Sequence, residues 1–169
     1  MRIALSTGHG FRDPGATRGD LYEHLIAYQI SWRLVEALTD RGHTVEFISC
    51  FQPLSGKIKQ VNASHKLHPF DLAMEIHLNS SANPQANGTE VLHYSNKNKL
   101  LAARVSQSIA SSIGLRDRGA VKRTGLGFLT KTAPPALIIE TMFISSSIDT
   151  SAIDVTFYRR MAEAIANCL

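Results

Sequence analysis

The sequence is poor in cysteine. Cys50 and Cys168 are the only two in 169 residues, far apart, so they give neither a disulfide framework nor a thiolate metal motif. It also lacks a long apolar run; nothing approaches the ~20 residues that a bilayer span requires. The N-terminus, Met1-Arg2-Ile3-Ala4-Leu5, leads straight into a strand pattern, without an apolar core followed by a small-residue cleavage site. The expectation is synthesis in the cytoplasm without a signal peptide. Work beyond the cytoplasm would then require release by another factor, or a signal since removed. Internal repeats, low-complexity segments and interdomain linkers are missing too. With 44% hydrophobic and 19% charged residues, residues 1–169 read as a single soluble globular domain. A net charge of +4 and a pI near 9.3 mildly favour anionic surfaces. The basic residues are scattered apart from short clusters at 97–99 and 116–123, and no nucleic-acid-binding motif accompanies them.

What is present is strand-helix alternation. Strands are expected over residues 2–7, 45–49, 70–78, 88–95 and 136–140, the last continuously apolar. Helices are expected over 21–41, 55–67, 98–113 and 154–169. The first carries Tyr22, Leu25, Ile26, Ile30, Leu34, Val35 and Leu38 at helical spacing. Residues 11–20 and the Gly- and Arg-rich stretch 115–129 read as loops. The pattern predicts an α/β fold: one twisted, mostly parallel sheet of about six strands with helices on both faces.

Four residues at element ends carry chemistry. The run Leu5-Ser6-Thr7-Gly8-His9-Gly10 stops strand one at a histidine between glycines, where ligand sites form in open sheets. A neutral imidazole there is a good zinc ligand; taken alone, the stretch favours a polar histidine in a glycine-rich turn, and the partners that later strands deliver change the balance. Glu23 opens the first helix. Three residues after Asp20 it has capping-box spacing, and its other reading is a carboxylate ligand beside His9. In Glu75-Ile76-His77-Leu78-Asn79 alternation puts Glu75, His77 and Asn79 on one side of a strand, which is costly unless they are paired. Glu75 is placed to orient the His77 ring, with Asn79 as a second supporting candidate. Glu140 ends an apolar strand near Phe143; burial there would raise its pKa toward general-base range, unless it simply pairs with a cation.

In this order the segments resemble the zinc-dependent N-acetylmuramoyl-L-alanine amidases of the amidase-3 family, in particular the catalytic domains of phage endolysins. The resemblance runs from Arg2 through the last helix. It rests on Gly8-His9-Gly10 with Asp13-Pro14-Gly15, Tyr22-Glu23, Glu75-Ile76-His77-Leu78-Asn79, Gly88-Thr89-Glu90-Val91 and Leu137-Ile138-Ile139-Glu140. It implies Zn2+ as cofactor, His9, Glu23 and His77 as its ligands, and Glu140 as the catalytic glutamate. The implied partner is peptidoglycan, cut between the lactyl group of N-acetylmuramic acid and L-alanine, with cell-wall lysis as the result. Two segments depart from the family pattern. Glu75 and Leu78 stand where Ser and Ala are common, and Thr141-Met142 follow Glu140 where a small residue or Gly is usual. Two histidines and one carboxylate leave one zinc position open, the pattern of a catalytic site.

Polar loops 80–88 and 118–127 are expected to flank the strand ends, with Arg118, Lys122 and Arg123 as candidates for binding stem-peptide carboxylates. Three rival readings are a zinc peptidase acting on peptide stems or poly-glutamate, a non-catalytic wall-binding module and a nucleic-acid-binding domain. The second would need a lost ligand, and the third rests on the pI alone. The expectation is therefore a monomeric catalytic domain that acts on the wall after release. It would have no membrane or nucleic-acid partner and no separate wall-binding domain.

Overall fold

The structure, a computed structural model, describes residues 1–10 and 12–169; Phe11, in the loop expected over 11–20, lies outside the described residues. In chain order the elements are β1 (Arg2–Thr7), β2 (Thr17–Arg18), β3 (Leu21–Tyr22), α1 (Glu23–Asp40), β4 (Thr44–Phe47), α2 (Leu54–Leu67) and β5 (Leu72–Asn79). There follow β6 (Thr89–His93), α3 (Lys99–Ile113), β7 (Asp117–Lys122), α4 (Gly127–Lys131), β8 (Ala136–Phe143), α5 (Ser147–Thr150) and α6 (Phe157–Ala166). Six strands form one sheet in the order β4-β1-β5-β8-β6-β7. Every pairing in it is parallel except β6 with β8.

Alternation along the central strands divides their side chains between two faces. Ile3, Leu5, Leu72, Met74, Ile76, Leu137 and Ile139 join the larger core, which Ile26 of α1, Val105 of α3 and Met161 of α6 complete. Ala4, Ala73, Leu92 and Ile138 pack on the other face against Val61 of α2 and Phe128 and Leu129 of α4. Period-two alternation then fixes where the polar residues go. Glu75 and His77 follow Ala73, and Glu140 follows Ile138, so all three lie on the α2/α4 face of the adjacent strands β5 and β8.

Several boundaries differ from expectation. The stretch 115–129 is not a loop throughout, for it contains β7 and the start of α4. β7 is an edge strand with three charged residues in six, none of them buried, and a register shift against β6, so it carries no apolar alternation to announce it. The first helix begins at Glu23, because Leu21–Tyr22 pairs with Thr17–Arg18 instead. Tyr22 is the N-cap and makes no side-chain capping bond, so the Asp20/Glu23 spacing does not act as a capping box. β8 continues past Glu140 to Phe143, which sets Glu140 inside the strand.

Candidate metal centre

Three elements converge where β1 ends. The residue after β1 and its neighbour, Gly8-His9, turn over the end of β5; the amide of Gly8 donates to the carbonyl of Ile76 at 2.8 Å. Gly8 has to be glycine here: a Cβ would lie 1.9 Å from the His77 ring. Glu23 reaches in from the first turn of α1. Its Oε1 accepts the Leu78 amide at 3.0 Å and its Oε2 accepts the Ala16 amide at 2.9 Å. Gly15, at φ +66°, brings its backbone against this carboxylate, where a Cβ would come within 2.5 Å of Oε2.

The two imidazoles stand edge to face, with centroids 5.3 Å apart. Each is held on its far side by its own carboxylate. His9 Nδ1 donates to Asp13 Oδ2 at 2.7 Å, and His77 Nε2 donates to Glu75 Oε2 at 3.1 Å. The opposite nitrogens face Glu23: His9 Nε2 lies 3.5 Å from Oε2, and His77 Nδ1 lies 3.2 Å from Oε1. His9, Glu23 and His77 thus offer three ligand atoms within 4.8 Å of one another. The set fits zinc, which takes imidazole nitrogen and carboxylate oxygen, and carboxylate-backed histidines are the usual surroundings of such an ion.

Electrostatics agree with close packing of charge. Burial opposes a charged His77, but its bonds to Glu23 and Glu75 outweigh this and push its pKa up to about 10. Burial also opposes a charged Glu23, yet the His77 ring and the Leu78 and Ala16 amides hold its carboxyl below the ordinary value. Burial pushes Glu140 up to about 7; Glu23, Glu90 and Glu75 add to the rise and His77 works against it. Glu140 is the register partner of His77 across the β5–β8 pair. Its Oε2 is buried and has no hydrogen-bond partner among the described residues.

A cavity of about 610 Å³ opens over this face. His9, Lys57, Glu75, His77 and Glu140 contribute its polar lining, and Phe51, Pro53, Leu54, Leu126 and Phe128 its apolar walls. Asn79 does not turn to His77. Its Nδ2 donates to Glu90 Oε1 at 3.3 Å, and Arg118 Nε donates to the other oxygen of Glu90 at 2.7 Å. Glu90 in turn pairs in register with Glu140. Arg118, Lys122 and Arg123 are not among the residues lining the cavity; Lys122 and Arg123 are exposed. Two residues with a part in the site escape sequence reading. Asp13 reads as a turn former, although its spacing of four from His9 hints at the bond. Lys57 stands in the helix expected over 55–67 with no motif to single it out, although it precedes the buried Val61 by one turn and so shares its face.

The family profile described as N-acetylmuramoyl-L-alanine amidase matches residues 3–169. The chain is 28% identical over 168 residues to N-acetylmuramoyl-L-alanine amidase LytC of Bacillus subtilis, covering 96% of this chain and 34% of that protein. It therefore spans about a third of LytC's length. Among solved structures, the catalytic domain of CD27L endolysin targeting Clostridia difficile superposes with a TM-score of 0.86 at 27% identity, over 99% of this chain and 96% of that one. The amidase AmiC2 of Nostoc punctiforme gives 0.87 at 26% identity, over 99% and 94%. With the profile matched along nearly the whole sequence, the chain belongs to the Amidase_3 family of N-acetylmuramoyl-L-alanine amidases.

Proposed function

We propose that this chain is a zinc-dependent N-acetylmuramoyl-L-alanine amidase that hydrolyses the lactyl–L-alanine amide of peptidoglycan. The observation that carries the reading is Glu140. Glu140 lines the cavity that also holds His9 and His77, one of its oxygens is buried without a hydrogen-bond partner among the described residues, and its pKa lies near neutrality. His9, Glu23 and His77 would hold the ion. Zinc bound there supplies Lewis-acid chemistry, lowering the pKa of water to about 7 and polarising a carbonyl.

The remaining work falls to this chain's own residues. Asp13 and Glu75 keep the rings turned, each fixing the proton on the far nitrogen so that the near one is free. Glu140 accepts a proton as water adds to the amide carbon, then returns it to the leaving nitrogen. The products are a lactyl carboxylate and a free amine. That second transfer matters because an amine anion is a very poor leaving group. The apolar walls shield the reacting groups. No helix among the described residues is long and apolar enough to cross a membrane. The net charge of +4 suits an approach to anionic wall polymers.

The test is digestion of a defined muropeptide followed by mass spectrometry. The expected products are the intact sugar and a stem peptide with a free L-alanine N-terminus. Cleavage inside the peptide would instead identify a peptidase and overturn the assignment.

A further inference from the structure

Lys57 is 1% exposed, and the reaction outlined above gives its charge nothing to do. A buried ammonium is costly unless it is paired and hydrogen-bonded, and an apolar side chain of similar size would fill the same space without that cost. Its partners are therefore informative. The Nζ donates to the carbonyl of Thr7 and, at 2.8 Å, to that of Gly8, the two residues leading into His9. It also lies 3.9 Å from Glu75 Oε1. That oxygen is buried and lacks a hydrogen-bond partner among the described residues, while the other oxygen of Glu75 holds His77. One cation therefore touches the backbone that carries His9 and the carboxylate that orients His77.

We propose that Lys57 is a positioning residue of the metal centre: its ammonium ties the end of β1 to Glu75 and so fixes the two imidazoles relative to one another. The proposal rests on the zinc reading above. Lys57 is placed to act on the site through two backbone carbonyls and a carboxylate, and it is not one of the three residues whose atoms would hold the ion. Its charge also balances the carboxylate that β5 carries on the buried α2/α4 face.

The experiment measures zinc affinity by chelator competition in wild type, Lys57→Met, Glu75→Gln and the double variant, with circular dichroism confirming that each is folded. Lys57→Met is expected to weaken zinc by ~10-fold or more, the scale for groups that orient ligands. The double variant should bind more weakly than Glu75→Gln. The combined loss should be smaller than the product of the two single losses, because the residues share one contact. Unchanged affinity in folded Lys57→Met overturns the proposal; a purely structural lysine would lower the melting temperature and leave affinity alone. A double variant equal to Glu75→Gln also overturns it. This comparison serves if Lys57→Met fails to fold with Glu75 left unpaired, since the double variant removes both charges. A wild type that binds no zinc would sink the functional reading itself; a wild type that binds, alongside variants that bind equally well, sinks only this inference.

Discussion

Glu75 and Glu140 lie on the same sheet face, yet their surroundings give them different work. Glu75 is bonded to His77 and sits near Lys57, whereas Glu140 has a free buried oxygen and a pKa pushed up to about 7. Glu140→Gln keeps the size of the side chain and removes the proton acceptor. Its zinc content should match wild type while wall lysis, followed as turbidity loss of purified walls, falls at least ~10²-fold. Slow lysis together with lost zinc would make Glu140 a ligand instead. His77→Ala leaves two of the three ligands, so elemental analysis should find little zinc; a full complement would remove His77 from the set. Gly8→Ala should also lose metal, because its Cβ would occupy the His77 ring position, 1.9 Å from Cε1. His9, just past β1, and His77 and Glu140, within β5 and β8, are legible from sequence because alternation and apolar runs locate them. Glu23 is not decided there, since capping and ligation call for the same residue at a helix start. What separates the two readings is tertiary: the amides that bind its carboxylate come from Ala16 and Leu78, seven and fifty-five positions away. Lys57 is silent for the same reason, since its partners Thr7, Gly8 and Glu75 are brought to it by the fold.

At the scale of elements, the strands with continuous apolar runs and the long amphipathic helices follow from pattern alone. The missed pieces are those whose stability is borrowed from neighbours. β7 is polar and lies at the sheet edge, and α4 is only five residues, Gly127–Lys131, too short to show a helical period. α4 is held by Phe128, 1% exposed, and Leu129, 5% exposed, which pack into the smaller core beneath the site. Phe128 also walls the cavity. Phe128→Ala should therefore cost about 3–5 kcal/mol in urea unfolding. It should also impair lysis more than zinc binding, because the proposed ligands lie just past β1, on α1 and on β5, and none on α4. A variant with near-normal stability would mean that α4 is not packed as described.

The whole molecule should answer to pH in opposite senses with and without metal. Consider protein stripped by a chelator. Glu140, ordinarily titrating near 4.5, is raised to about 7, and His77, ordinarily near 6.5, is raised to about 10. Each holds a proton in the folded state over a range where the unfolded chain has released it. Stability falls with pH wherever the folded state binds more protons. The contribution of Glu140 is therefore lost between roughly pH 4.5 and 7, and that of His77, fully present below 6.5, disappears as pH rises through 10. Glu23 works the other way, since its lowered pKa stabilises above the ordinary carboxylate range and is lost in acid. Stripped protein should thus be most stable near pH 5 and lose on the order of a few kcal/mol, or roughly 10 °C in Tm, by pH 9. Zinc, bound as proposed, should reverse the trend. It needs a neutral His77 and an ionised Glu23, so binding releases the very proton that steadies the stripped fold and strengthens as pH rises. Thermal unfolding from pH 5 to 9, with and without zinc, should give curves that diverge steadily. A stripped protein whose Tm climbs with pH would show that these groups are not buried against one another as the fold places them. A zinc-induced shift that shrinks with pH would rule out a histidine-based ligand set.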